Sequence, residues 1–151
     1  RSDLRDELDG IVRQSIAAGS RVLAAGGVVE GAGWFYAPTV LADAPENAPA
    51  LTRETFGPAA VILTAKDADQ AVVIANRSQY GLSANMWTTD LDRARVLAGR
   101  IEAGGVFINS FTASDPRFPF GGIKRSGFGR ELGVAGAREF TNLKTIWTAH
   151  R

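Results

Sequence analysis

The segment PFGGIKRSGFGRELG, residues 119–133, sets five glycines and three basic side chains in fifteen positions, the composition of a loop that could cradle phosphate. Its spacing argues against that chemistry. A Walker-type loop needs lysine directly after the glycine that turns the chain, followed by Ser or Thr. Here Ile123 separates Gly122 from Lys124, and Arg125 precedes Ser126. A dinucleotide fingerprint needs Gly-x-Gly-x-x-Gly directly after a strand, whereas Gly127, Gly129 and Gly133 follow a long loop and are one residue too widely spaced. The expected role of these glycines is geometric, with Lys124, Arg125 and Arg130 solvated or paired with Glu131.

Other reactive groups are scarce. There is no cysteine, so these residues contain no thiol nucleophile, thiolate metal site or disulfide. The single histidine, His150, stands beside the chain end without a partnering serine or carboxylate, and the dispersed acids lack metal-ligand spacing. No catalytic residue and no metal ligand is therefore assigned. Seventeen Lys plus Arg against sixteen Asp plus Glu leave a formal charge of +1, too little for a global field toward nucleic acid or anionic lipid. No apolar run approaches the ~18 residues of a membrane helix and no targeting signal is visible, so the expected setting is cytoplasmic. Arg1 opens the chain within an amphipathic pattern of Leu4, Leu8, Ile11 and Val12, which reads as a start part-way through a longer protein.

The elements that must carry these residues follow from period and punctuation. A first helix is expected from a Ser2 cap to about Gly19, with Asp3, Asp6 and Glu7 at its positive end. RVLAAGG and GWFYAPTVL read as a hairpin or two adjacent extended runs, with Pro38 suggesting an edge. Residues 42–53 have the composition of an exposed connection, and AAVILTA (59–65) that of a buried strand. A helix then starts at Asp67, with Gln70 completing a capping box and Gly81 just past its end. LSANMWT is a strand, Thr89 or Asp90 starts a helix that stops at Gly104, and GVFIN is a further strand. Trp34, Trp87 and Trp147 fall in strand-like runs and read as core.

Strand, helix, strand, helix, strand with short connections predicts an α/β fold with a parallel sheet and a βαβαβ core. Ligands of such sheets collect beyond the carboxyl ends of the strands, where GVFIN delivers Asn109. The following SFTASDPRFPF mixes hydroxyls, a carboxylate, an arginine and three aromatics. It suits either the lining of a small-molecule passage or a packed surface loop. A short helix around VAGAREF and a strand-like tail, NLKTIWTAH, able to pair with another chain, complete the pass.

Four blocks in order, GWFYAPTVL, ETFGP, AGGVFIN and PFGGIKRSGFGRELG, resemble the C-terminal third of the NAD(P)-dependent aldehyde dehydrogenase superfamily. The likeness runs over essentially the whole chain, and SDPRFPFGGIKRSGFGRE is most similar to the succinate-semialdehyde dehydrogenase branch. The resemblance implies that residues 1–140 are the C-terminal part of a catalytic domain and that 141–151 form a strand joining a homo-oligomer. It implies that Glu54 holds the nicotinamide-ribose hydroxyls and that Phe56 packs near the nicotinamide, with NAD or NADP as cofactor. Thr112, Ser114 and Phe120 fall on positions lining the aldehyde tunnel. Many relatives that take apolar aldehydes carry an aromatic where Ser114 stands, so the resemblance implies a polar, carboxylate-bearing aldehyde such as succinate semialdehyde. The glycine loop becomes a structural crossing near subunit contacts.

Two functions remain open at this level. One is a piece of an oxidoreductase, inactive by itself because family members attack the aldehyde with a cysteine that these residues lack. The other is a non-catalytic module of the same fold that assembles through its terminal strand.

Overall fold

In α1 (Ser2–Ala17), Leu8, Ile11, Val12 and Ser15 recur at helical spacing and are the residues it buries. The helix begins one residue earlier than its sequence suggests. Arg1 is the N-cap, its carbonyl accepting from the Arg5 amide, so Ser2 lies inside the first turn and caps nothing. Ser15 is a buried hydroxyl with both bonds made, donating to the Ile11 carbonyl at 2.7 Å and accepting from the Ala50 amide at 2.9 Å.

The computed structural model describes residues 1–150 and divides the chain into two compact units, Arg1–Ala71 and Val72–Arg151. In the first, β1 (Arg21–Ala24) pairs antiparallel with β4 (Thr39–Ala42), which pairs parallel with β5 (Ala59–Ile62) in the register Thr39↔Ala59 to Ala42↔Ile62. The short β2 (Gly27–Val28) and β3 (Tyr36–Ala37) form a separate antiparallel ladder. Pro38 is not on an edge strand. It stands in the break between β3 and the central β4, because a residue without an N–H interrupts the ladder there.

The core of this unit is Leu8, Ile11 and Val12 of α1 with Leu41, Ala42 and Ala48. The connection 42–53, expected to be exposed, instead contains the fully buried Ala48 and α2 (Pro49–Thr52), whose proline occupies a position where no amide donor is required. β5 is shorter than the run AAVILTA and only half-buried in alternation, since β4 is its sole partner in the ladder.

The unit boundary falls inside α3 (Ala68–Asn76). Its start is capped as expected: Asp67 Oδ1 accepts from the Gln70 amide at 2.8 Å, and Gln70 Oε1 accepts from the Lys66 amide at 2.7 Å. It ends at Asn76, well before Gly81, which lies in β6 (Tyr80–Gly81). In the second unit, β7 (Ser83–Met86), α4 (Leu91–Ala98) and β8 (Gly105–Ile108) make one parallel crossover. Asp90 Oδ1 caps α4 through the Arg93 amide, and the helix stops at Gly99 rather than Gly104. The fold is mixed α/β, but the expected βαβαβ run is not a single ladder: β5 pairs with β4, and β7 with β8.

The stretch after Asn109 carries β9 (Ile123–Lys124), antiparallel to β6, and a bridge between Phe120 and Glu131. Next comes α5 (Gly133–Glu139). Residues 142–150 form no ladder within the chain, and Arg151 of the expected terminal strand lies outside the described residues. The tryptophans are not core: Trp34, Trp87 and Trp147 are all exposed, Trp34 between β2 and β3, Trp87 just past β7 and Trp147 in the tail after α5.

Candidate functional site

The ETFGP turn is fastened on both sides within the first unit. Before it, Arg53 Nη2 bridges Glu7 Oε1 at 2.7 Å; after it, the Pro58 carbonyl accepts from the Thr39 amide at 2.9 Å. Gly57, at φ +154°, lies so close to α1 that a Cβ there would stand 2.5 Å from Leu8 Cδ2. A side chain there would have to displace the end of the Leu8 side chain and adopt a backbone conformation that residues with a Cβ rarely take.

Exposure alternates along this turn. Thr55 turns its hydroxyl inward, where the oxygen is buried without a partner, while Glu54 and Phe56 face outward. Phe56 is 71% exposed, and Glu54 makes no hydrogen bond or ion pair with a described residue. A carboxylate with free lone pairs can accept from external hydroxyl or N–H donors, and an uncovered aromatic ring can pack against a ligand.

In the second unit, the stretch beginning at Asn109 is tied down at its start. Asn109 adopts φ +53°, accepts from the Thr88 amide through Oδ1 and donates to the Thr88 carbonyl through Nδ2, both at 2.8 Å. Its role is to clip the end of β8 to the start of the β7–α4 connection. Beside the clip, Trp87 and Phe111 meet edge to face, with centroids 5.3 Å apart. Thr112 is half-buried, its Oγ1 lying 2.8 Å from Ser83 Oγ and 3.0 Å from Asn85 Oδ1. With one proton to give, it donates to the amide oxygen of Asn85 and accepts from the serine.

Ser114 is exposed and makes no internal bond, whereas Phe120 is half-buried, its backbone exchanging two 2.8 Å bonds with Glu131. Between them, Asp115 accepts from the Arg117 backbone amide at 2.9 Å and from its guanidinium at 2.6 to 3.2 Å. The Arg117 guanidinium, then its backbone N–H, holds the Asp115 carboxyl below its ordinary range. Sequence reasoning missed this clasp, although Asp-Pro-x is a turn-initiating signal.

The glycine-rich segment offers no free cation cradle. Lys124 donates to the carbonyls of Asn76 and Ser78 and bridges Glu102 at 2.7 Å. Arg125 donates to Gln79 Oε1, and Arg130 to the carbonyls of Gly122 and Gly129. These partners correct the expectation of solvated side chains or pairing with Glu131. Carbonyl oxygens left over at turns and at the end of α3 take the charged donors first. Among the described residues there is no metal-competent cluster of His, Cys, Asp and Glu, and no helix long and apolar enough to cross a membrane.

The sequence matches the aldehyde dehydrogenase family model over residues 1–146. The chain belongs to that family. It is 52% identical over 147 residues to the succinate semialdehyde dehydrogenase [NAD(P)+] of Escherichia coli, covering 97% of this chain and 32% of that protein. Among solved structures it resembles succinic semialdehyde dehydrogenase from Streptococcus pyogenes in complex with NADP+, with a TM-score of 0.93, 31% identity, and coverage of 99% of this chain and 33% of that one. It also resembles an NAD-dependent aldehyde dehydrogenase from Sinorhizobium meliloti, with a TM-score of 0.88, 38% identity, and coverage of 95% and 29%. The chain thus spans about a third of the length of the curated aldehyde dehydrogenases it matches. Glu54 and Phe56 lie in one unit, and Thr112, Ser114 and Phe120 in the other.

Proposed function

We propose that these residues are the C-terminal part of the catalytic domain of an NAD(P)-dependent aldehyde dehydrogenase acting on a small aldehyde that carries a carboxylate, with succinate semialdehyde the leading candidate. The observation that carries this reading is the unpartnered Glu54 carboxylate on a turn fixed by Gly57 against Leu8. A group held in place yet left without internal bonds is preorganised for an external donor. The family membership and the relatives' names support the identity of that donor.

Glu54 would accept from the two ribose hydroxyls of NAD or NADP, and Phe56 would keep water from the ring beside them. When bound, the nicotinamide supplies the acceptor for the hydride that the substrate loses. Ser114 would donate its hydroxyl to the substrate's carboxylate, a bond an aromatic side chain could not make. Thr112, committed to Ser83 and Asn85, would shape the passage without binding, and Phe120 would give it an apolar wall. The overall change consumes aldehyde, water and oxidised dinucleotide and yields acid, reduced dinucleotide and a proton. Because these residues contain no thiol, they do not perform it by themselves. The exposed tail, with Leu143, Ile146 and Trp147 uncovered, supports association with a second copy through an added strand.

The test is a full-length polypeptide carrying this segment, assayed for dinucleotide reduction with succinate semialdehyde under NAD and under NADP. Turnover with neither cofactor would overturn the reading. So would turnover by the 151 residues alone in a preparation free of longer enzyme.

A further inference from the structure

Ser114 stands between two fixed points. Two residues before it, Thr112 is held by Ser83 and Asn85 of β7; directly after it, Asp115 closes a turn on Arg117. That turn is held at three oxygens of Asp115. Asp115 Oδ1 takes the Arg117 amide and Nε, Oδ2 takes Nη2 at 2.6 Å, and the Asp115 carbonyl takes the Phe118 amide at 3.0 Å. The next residues are fastened to a further strand of chain. The Pro116 carbonyl accepts from the Gly133 amide at 3.1 Å, and Gly133, at φ +57°, is packed so near the backbone of Arg117, Phe118 and Pro119 that a Cβ would come within about 3.2 Å of each.

An exposed ion pair of this kind contributes little to stability, because water screens it and two side chains must be ordered to make it. Arg117 is 77% exposed at its side chain. What the pair does accomplish is geometric: a planar guanidinium matched to both carboxylate oxygens fixes the direction of the backbone that leaves Ser114. With Thr112 fixed as well, only two residues lie between the anchors.

We propose that Asp115 and Arg117 are positioning residues for substrate selection, a clasp that presents the Ser114 hydroxyl to the carboxylate end of the aldehyde. This rests on the role given to Ser114 above. Asp115 takes Nε–H and one N–H of Nη2 and balances the guanidinium's charge, so the role assigned to Arg117 is to hold the turn rather than to attract the substrate as an unpaired cation.

The experiment is steady-state kinetics on the full-length enzyme with succinate semialdehyde and with butanal, which lacks the carboxylate. Asp115→Ala and Arg117→Ala are each expected to raise KM for succinate semialdehyde about tenfold, the order of one charge-assisted hydrogen bond, with kcat unchanged. Both should leave KM for butanal within about twofold. The double variant should match either single one, since the two residues form one device. Arg117→Lys keeps the charge but loses the fork, so it should behave like Arg117→Ala; wild-type behaviour would overturn the clasp in favour of simple attraction. Equal losses on both aldehydes would overturn it in favour of a merely structural pair. Ser114→Ala separates the two levels. If it spares succinate semialdehyde, the role given to Ser114 fails and the clasp with it; if it is selective while the Asp115 and Arg117 variants are silent, only the clasp fails.

Discussion

The ammonium of Lys124 closes the C-terminal end of α3, donating to the Asn76 carbonyl at 2.8 Å and to that of Ser78 at 3.0 Å. It reaches this position from β9, through a backbone at φ +55° that only a tightly held non-glycine residue adopts. Glu102, 2.7 Å away, balances its charge, and Asn76 is itself tied to the carbonyl of Arg100 and the amide of Glu102. One lysine therefore joins a helix end, a strand and a loop.

Lys124→Met keeps the stem and removes the donor, leaving helix-terminal carbonyls without their cation. The expected loss is about 1–2 kcal/mol of stability, as for hydrogen bonds to charged groups. Urea unfolding should show a lower midpoint at unchanged slope, and amide exchange should accelerate first at the end of α3. An unchanged midpoint would mean that water replaces the ammonium at no cost.

Tyr36 is expected to contribute to the alkaline limb of stability. Burial in β3, then the neighbouring negative charge of Asp9, raises its phenol above the ordinary value of 10.0. The fold thus favours the protonated phenol. That contribution is fully present below the unfolded value and is lost as pH rises through the folded one. Tyr36→Phe should flatten the decline of stability above about pH 10. If the two proteins lose stability in parallel across that range, Tyr36 is not the group responsible.

The features legible in the sequence were those set by neighbours along the chain. Leu8, Ile11 and Val12 of α1, the Asp67 and Asp90 caps and the β7–α4–β8 crossover rest on local spacing and appear where expected, whereas Leu4 of the expected apolar face is exposed and Ser15 is buried in its stead. What could not be read locally was pairing between distant segments. β4 became a central strand because its two partners come from opposite directions in sequence, and the basic residues of the glycine loop found acceptors as far as 48 residues away. Nor does local spacing single out Glu54 and Phe56, whose assignment came from resemblance. The physical fact that makes them candidates, Gly57 pressed on Leu8, needs coordinates to be seen.

Glu54→Gln tests the cofactor wall in the full-length enzyme. The amide keeps shape and one acceptor but loses the charge that strengthens bonds from two hydroxyls. Dinucleotide affinity should fall by about tenfold, and hydride transfer should slow in single-turnover measurements. Since the side chain makes no internal bond, stability should stay within about 0.5 kcal/mol. Lost stability with unchanged cofactor affinity would reassign Glu54 to the scaffold.

Ser114→Phe tests the substrate wall from the opposite side to truncation, by filling the position instead of emptying it. The position is exposed and free of internal bonds, so the larger ring can be accepted without disturbing the fold. It removes a donor to a carboxylate and adds apolar surface. KM for succinate semialdehyde should therefore rise by at least about tenfold, while KM for an aliphatic aldehyde of the same length stays level or falls. The ratio of the two kcat/KM values is the quantity to follow, because it cancels any common loss of active enzyme. An unchanged ratio would remove Ser114 from substrate selection, whatever happened to the absolute rates.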